Sequence, residues 1–309
     1  MDTATEEVEV GTEVEVEADQ ANNEENKTKN EEKSPAFAFK AKIKREVIED
    51  FLKSLSVIAD VGKIAISENG IEAKMINSGN YAMATTTLNK KGMYSYSTSK
   101  DGVIGIPIKT VLKLVGKAKK NGTVQIEYLP KTDEQEEILK IAAGDLHYDL
   151  PPTDLEYIDE PSKAPQIIFP VGITLRCKKF SEIITLVEEV AGEITFTVPA
   201  DEDKLIAESN RTTMEGKPAY PHVLITVENG DILKFESVKE NKNEDENIRV
   251  RKGEIKATFD AEDLKKMSKI IAKMGKVTIR TDTDYPCEIE TLFANDYGKI
   301  KYLIAPRIN

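Results

Sequence analysis

The chain contains the same unit twice, and that duplication limits its fold more than any other feature. In residues 254–309, Leu264, Met267, Ile270, Ile271 and Met274 recur at spacings that gather them on one face of a helix. Lys265, Lys269 and Lys273 run along a different face with Lys266 beside them, Asp260 is suited to cap the helix start, and Gly275 to stop its end. Alternating, strand-like runs cover residues 254–259, 276–280, 287–292 and 299–304, the last closing on Ala305-Pro306. The same order occurs upstream: a strand at 103–106, a helix at 107–120 stopped by Asn121-Gly122, and strands at 123–128, 137–142 and 146–150 ending at Pro151-Pro152. This earlier helix also sets an apolar face (Ile108, Val111, Leu112, Val115, Ala118) against a lysine stripe (Lys109, Lys113, Lys117).

Each copy is preceded by another amphipathic helix and more strands. In the first half a strand at 36–43 leads to a helix at 45–60, with Ile48, Phe51, Leu52, Leu55 and Ile58 inward and Gly62 ending it. Runs at 63–67, 72–76 and 82–88 form a meander around the turn residues Asn69-Gly70. In the second half a strand at 167–175 leads to a helix at 177–191, with Phe180, Ile183, Ile184, Val187 and Val190 inward and Gly192 ending it. Strands follow at 193–198, 204–209, 222–227 and 231–236, then a charged loop at 239–252. The expected class is therefore α+β: two similar domains, 36–150 and 167–309, each with two helices on largely antiparallel sheet. A proline- and acid-rich stretch, 151–166, reads as an extended connector between them. Its apolar members Leu155 and Ile158 either pin it to the surface or line a binding site.

Charge is uneven. The chain carries 55 acids against 43 Lys+Arg, but residues 1–34 alone hold twelve acids and three lysines. That opening segment has no aromatic residue, so residues 1–35 read as a disordered acidic tail, with partner binding or self-masking as the sharper alternative. The remainder is close to neutral, with lysines bunched on particular helices, and local clustering decides where a polyanion binds. Two cysteines, Cys177 and Cys287, make no disulfide framework. No apolar run approaches the ~20 residues needed to span a bilayer, and the acidic start does not resemble a secretory signal.

Catalytic constellations are missing from the sequence. His147 and His222 fall in different halves, outside any HxxxH or HExxH context. Asp201-Glu202-Asp203 and Asp282-Thr283-Asp284 sit between strand runs, where Asp serves turns, and no further ligands accompany them. No GxGxxG, GxxxxGK[ST] or GxSxG motif occurs. The sequence gives no reason to expect an enzyme, a metal or a cofactor. Lysines on helix faces suit contacts to phosphates, which carry no sequence information. There is no Trp to provide a stacking platform, and Phe51 and Phe180 lie on apolar helix faces, which favours duplex backbone over single strands.

The closing run Asp296-Tyr297-Gly298-Lys299-Ile300-Lys301-Tyr302-Leu303-Ile304-Ala305-Pro306-Arg307-Ile308 resembles the last strand of the proliferating cell nuclear antigen (PCNA) family of sliding clamps. The likeness extends over residues 36–309 through the two-fold repeat, the four amphipathic helices and the acidic connector. It implies three subunits, as a homotrimer or heterotrimer, closed into a ring of six similar domains, with helices around double-stranded DNA, sheets outside and edge strands paired between subunits. Residues 146–150 would be the first-domain edge. It implies a polymerase processivity factor that a clamp loader places on DNA. Its clients would be DNA polymerase, flap nuclease and ligase, held through short hydrophobic peptides. Such a protein works inside the cell with chromosomal DNA, in a nucleoid if archaeal and a nucleus if eukaryotic. The peptide groove would use Ile76, Met83, Leu155, Ile158, Pro286, Leu303, Ala305 and Pro306. Basic positions facing DNA match Lys53, Lys113 and Lys117, with Lys109 on the same stripe, and Lys266, Lys269 and Lys273 as counterparts in the second half. The helix at 177–191 departs from the family pattern: it shows Glu182, Glu188 and Glu189, with only Arg176, Lys178 and Lys179 basic at its start. Either those residues take over, with Arg176 and Lys178 as the expected DNA contacts, or this lining contacts DNA weakly. That departure leaves open a checkpoint-type or heterotrimer-specific subunit acting mainly as an assembly platform.

Overall fold

The computed structural model describes residues 37–159, 168–210, 221–228, 230–240 and 249–308. The expected tail, most of the second part of the connector and the middle of the 239–252 loop lie outside the described residues. The first half runs β1 (Phe39–Lys44), α1 (Arg45–Ser56), β2 (Gly62–Ser67), β3 (Gly70–Ile76), β4 (Ala82–Asn89), β5 (Ser95–Thr98), β6 (Gly102–Ile106), α2 (Ile108–Val115), β7 (Thr123–Leu129), β8 (Ile138–Ala143) and β9 (Leu146–Leu150). The second runs β10 (Val171–Arg176), α3 (Cys177–Glu188), β11 (Glu193–Val198), β12 (Leu205–Ser209), β13 (Leu224–Val227), β14 (Ile232–Ser237), β15 (Ile255–Asp260), α4 (Ala261–Ile271), β16 (Lys276–Thr281), β17 (Cys287–Phe293) and β18 (Gly298–Ile304). The duplicated order read from the sequence is thus the order of the fold.

Period-two alternation sets the strands. In β1 Phe39, Ala41 and Ile43 are buried while Lys40 and Lys42 are exposed, and β18 buries Ile300, Tyr302 and Ile304 against outward Lys299, Lys301 and Leu303. Among the described residues all strand pairs are antiparallel, in sheets ordered β5-β1-β7-β8-β9, β14-β10-β16-β17-β18-β4-β3-β2-β6 and β13-β12-β11-β15.

The nine-stranded sheet joins the halves, because the last strand of the chain pairs with β4 from Gly298↔Leu88 to Ile304↔Ala82. Tyr302 anchors that junction. It is fully buried, and its hydroxyl donates to the carbonyl of Ser54 in α1 at 3.0 Å. Burial holds its ionisation far above the ordinary tyrosine range.

The helices pack as neighbours in the order α2, α1, α4, α3. Each turns an apolar face to sheet: Ile48, Phe51, Leu52 and Leu55 from α1, Ile108, Val111 and Val115 from α2, Phe180, Ile183, Ile184 and Val187 from α3, and Leu264, Met267 and Ile271 from α4. Their polar faces consequently form one continuous surface on the opposite side of the layer.

All four helices end earlier than the sequence reading: α1 at Ser56 rather than residue 60 and α3 at Glu188 rather than residue 191, while the ends of α2 and α4 also move lysines. The expected 107–120 helix stops at Val115, so Lys117 belongs to the turn that follows. The chain leaves the helical path because α1 captures it: the Arg45 guanidinium donates to the Ala118 carbonyl at 2.7 Å, and the Arg45 amide to the Gly122 carbonyl at 2.9 Å. Asn121, with φ 61°, takes the left-handed conformation that the reversal needs. Likewise α4 ends at Ile271 rather than near Gly275, which puts Lys273 in a turn. Asp260 does cap α4, accepting from the Asp263 amide at 2.9 Å. Strand β5 was not evident in the sequence. Its Ser-Tyr-Ser-Thr run has weak apolar alternation, and Tyr96 secures it by donating to the Ser67 and Gly70 carbonyls at 2.5 and 2.8 Å.

Candidate nucleic-acid face and peptide groove

The lysines expected to meet phosphate all lie on or beside the solvent side of the helix layer, but they are not equally available. Lys53 stands 2.7 Å from Glu49 on its own helix, Lys109 2.5 Å from Asp60, and Lys266 2.8 Å from Glu262 and 3.3 Å from Asp263. A hydrogen bond from Lys266 to Glu262 holds its ammonium above the ordinary lysine value despite some burial. Lys273 is 2.5 Å from Asp50 of α1. Lys178 reaches Glu182 loosely at 3.9 Å. Among the described residues Lys113, Lys117, Lys269 and Arg176 form no ion pair, and all four are exposed.

Two further exposed lysines, Lys119 and Lys120, follow Lys117 on the same tied-down turn. Sequence reasoning passed over them by assigning them to a helix end, although the density of lysine between 109 and 120 was the available signal.

Helix α3 presents a different surface. Its outward positions are Lys178, Glu182, Leu186 (52% exposed) and Glu189. Glu188 instead bonds Lys265 of α4 in a half-buried pair, so Lys265 is committed to helix packing. Lys179 pairs with Asp231 at 2.9 Å.

Most groove residues lie in one place. Ile76 pairs with Met83, and Met83 with Leu303, so three apolar side chains stand in register across β3, β4 and β18 on the face away from the helices. The Ala305 amide donates to the Tyr81 carbonyl at 2.8 Å, extending β18 by one step, and Pro286 precedes Cys287, the partner of Ile304. Ala305 and Pro286 therefore flank the same end of the apolar row. Pro306 lies just beyond, where the Arg307 amide donates to the Thr258 carbonyl at 2.7 Å and its guanidinium reaches Asp260 at 2.6 Å. The row stops at β17, where Glu288 replaces the apolar series and pairs with Arg280 at 2.6 Å and Lys301 at 2.7 Å.

The connector lies against the far edge of the same sheet. The Thr153 amide donates to the Gly105 carbonyl at 2.9 Å, which attaches the connector to edge strand β6. Ile158 is 8% exposed and packs toward Gly105, so it pins the connector down. Leu155, in a short 3-10 turn capped by Asp154, remains exposed beside Tyr157, which is 82% exposed. Strands β2 and β3 separate β6 from β4, a gap of about 14 Å at ordinary strand spacing. Tyr157 and Val61, an exposed apolar residue just before Gly62 at the same sheet end, were not singled out in the sequence.

The five- and four-stranded sheets end at β9 and β13. Among the described residues no further strand covers either, and Leu146 and Leu224 are exposed there. Uncovered edges are pairing surfaces for another chain. His147 lies in β9, and His222, beside β13, stands 2.7 Å from Glu208. Among the described residues no cluster of His, Cys, Asp and Glu could hold a metal, and no helix is long and apolar enough to cross a membrane.

No protein-family model matches the chain. It is 28% identical over 270 residues to a protein of Methanosarcina mazei named DNA polymerase sliding clamp, covering 87% of this chain and 98% of that one. In structure it matches PCNA of A. fulgidus bound to the C-terminal region of FEN-1, with a TM-score of 0.73, 17% identity and coverage of 88% of this chain and 99% of the other. PCNA of Thermococcus kodakaraensis matches with a TM-score of 0.70 and 17% identity, over 87% of this chain and 100% of the other.

Proposed function

We propose that this chain, which is similar over 87% of its length to a DNA polymerase sliding clamp and has the fold of PCNA, is a sliding clamp of the PCNA family. Three copies close into a ring around duplex DNA and act as a polymerase processivity factor. Each copy contributes two clamp domains, 36–150 and 167–309, with the 151–166 connector between them. Helices face the duplex, sheets face out, and β9 of one subunit pairs with β13 of the next. The single layer α2-α1-α4-α3, with exposed lysines on the side opposite the sheets, carries this reading. Phosphate contacts of this kind are independent of sequence and exchange easily, so a closed ring stays topologically bound while it moves.

The protein works without catalysis or a cofactor, in association with chromosomal DNA, and depends on a clamp loader to open it. Polymerase, flap nuclease and ligase clients dock as short hydrophobic peptides. The plug enters beside Ile76, Met83, Leu303, Ala305, Pro286 and Pro306 and meets Leu155 from the connector, with Ile158 holding the connector in place. The acidic outward face of α3 favours a second reading, in which the chain is one subunit of a mixed ring serving mainly as an assembly platform.

Sedimentation of the purified chain, followed by polymerase extension on a long primed template with clamp loader, tests both. A salt-stable monomer that leaves polymerase distributive sinks the ring. A monomer that gains processivity only with a second clamp subunit supports the mixed ring.

A further inference from the structure

Positive charge is graded along the helix layer. At the α2 end, Lys113, Lys117, Lys119 and Lys120 are exposed within eight residues, and among the described residues none of them forms an ion pair. The turn holding the last three is fixed to α1 by Arg45, and by the Asn121 amide, which donates to the Glu46 carboxylate at 2.7 Å. Next in the layer, α1 carries Glu49 and Asp50, whose charges are balanced by Arg45, Lys53 and Lys273. In α4 Lys266 is paired twice and Lys269 alone remains exposed without an ion pair among the described residues. At the far end α3 turns out Glu182 and Leu186, with Glu189 at its C-terminal cap. Lys178 is already shared with Glu182, and Arg176, just before the helix, is the one exposed cation of this sector without an ion pair among the described residues. Lysines that must first give up a carboxylate return less on meeting phosphate than those that release only solvent and counterions.

We propose that each subunit holds the DNA backbone chiefly through the 113–120 lysine cluster, with Lys119 and Lys120 as direct phosphate contacts, and that α3 is a repelling sector. This deepens the clamp reading and rests on it. In a closed ring of three copies, three gripping sectors would alternate with three repelling ones. The duplex would then sit off-centre against a few α2 turns rather than evenly within the hole. Helix α3 would act as the low-friction wall, since an acidic face cannot trap a phosphate.

The test is a salt titration of binding between the full-length chain and a mixed-sequence duplex, followed by fluorescence anisotropy. Parallel sedimentation establishes that every variant assembles as the wild type does. Lys119→Gln with Lys120→Gln should lower the slope of log K against log salt by about 0.9 for each phosphate that is no longer neutralised. Lys109→Gln with Lys266→Gln, which removes lysines already paired, should lower it by less than half as much. Glu182→Gln with Glu189→Gln should tighten binding. An unchanged slope for the first pair, or weaker binding for the last, overturns the inference. Processivity that survives while all three pairs change binding equally would overturn the graded contact and leave the clamp reading intact. A wild-type chain that neither assembles nor binds duplex would overturn both.

Discussion

Lys273 Nζ stands 2.5 Å from Asp50 Oδ1, joining the turn after α4 to the middle of α1 across the junction of the two halves. One of the lysines expected to contact DNA is therefore also the counter-ion of a largely buried carboxylate. Desolvation pushes the Asp50 carboxyl above its ordinary value, and the ammonium of Lys273 only partly offsets it. A carboxyl raised in the folded state binds protons more tightly there than in the unfolded chain. Its contribution therefore falls as pH rises through the window above the ordinary aspartate value.

The expected mutational pattern is asymmetric. Lys273→Ala leaves Asp50 buried beside Glu49 with one cation fewer and should cost about 1–3 kcal/mol. Asp50→Asn releases a half-exposed lysine into water and should be near neutral. Thermal unfolding at neutral pH, repeated near pH 5, checks this. The deficit of Lys273→Ala should shrink on acidification, and equal losses from both variants would refute the assignment.

Asp260 concentrates two functions in one carboxylate, capping α4 through the Asp263 amide and receiving Arg307 from the end of the chain. Burial alone would raise its ionisation, but those hydrogen bonds, together with the Arg307 charge, bring it below the ordinary value. Its stabilisation is thus complete above the ordinary aspartate value and is lost as pH falls through the lower folded one. Asp260→Ala should destabilise by about 1 kcal/mol from the cap. It should also flatten the acid limb of a melting-temperature profile. An acid limb identical to wild type would count against it.

The in-register trio Ile76, Met83 and Leu303 makes a sharper prediction for the groove. These side chains lie on the outward sheet face, so truncating them removes binding surface without opening the core. Leu303→Ala should weaken a fluorescent hydrophobic client peptide by about tenfold, the usual size of a hot-spot effect. The melting temperature should hardly move. Lys113→Glu with Lys269→Glu should leave peptide binding unchanged while reducing loading and processivity. Impaired peptide binding in that double variant would mean the two surfaces are not separable.

How far these sites could be read from the sequence follows from the range of the interactions that make them. Apolar periodicity is local, so the four helices, most strands and the inward Phe51 and Phe180 were evident in the residues themselves. The end of α2 was not, because the Arg45 guanidinium that captures Ala118 comes from 73 residues away. Pairing of Lys273 with Asp50 was equally hidden, since a lysine stripe shows where cations point but not which carboxylates meet them. The family resemblance named Met83 and Leu303 for the groove, whereas their alignment depends on the β4–β18 register, a long-range fact. Ile158 and Leu155 looked equivalent in sequence. Only the close approach of Gly105 separates the buried anchor from the exposed contact.

That approach yields the last prediction. A Cβ built on Gly105 would lie 2.0 Å from the Thr153 carbonyl oxygen and 3.0 Å from Ile158 Cδ1. The first clash is with backbone that cannot move without breaking the Thr153–Gly105 hydrogen bond. Gly105→Ala should therefore lift the connector from β6, at a cost of about 1–3 kcal/mol for the forced overpacking. Strand β6 would keep its ladder to β2, so the sheet and the oligomeric state should survive. Client peptide affinity should fall because Leu155 no longer has a fixed position, and hydrogen exchange at the Thr153 amide should accelerate. A variant with wild-type exchange at Thr153 but weakened peptide binding would show that Leu155 is positioned by something other than this attachment.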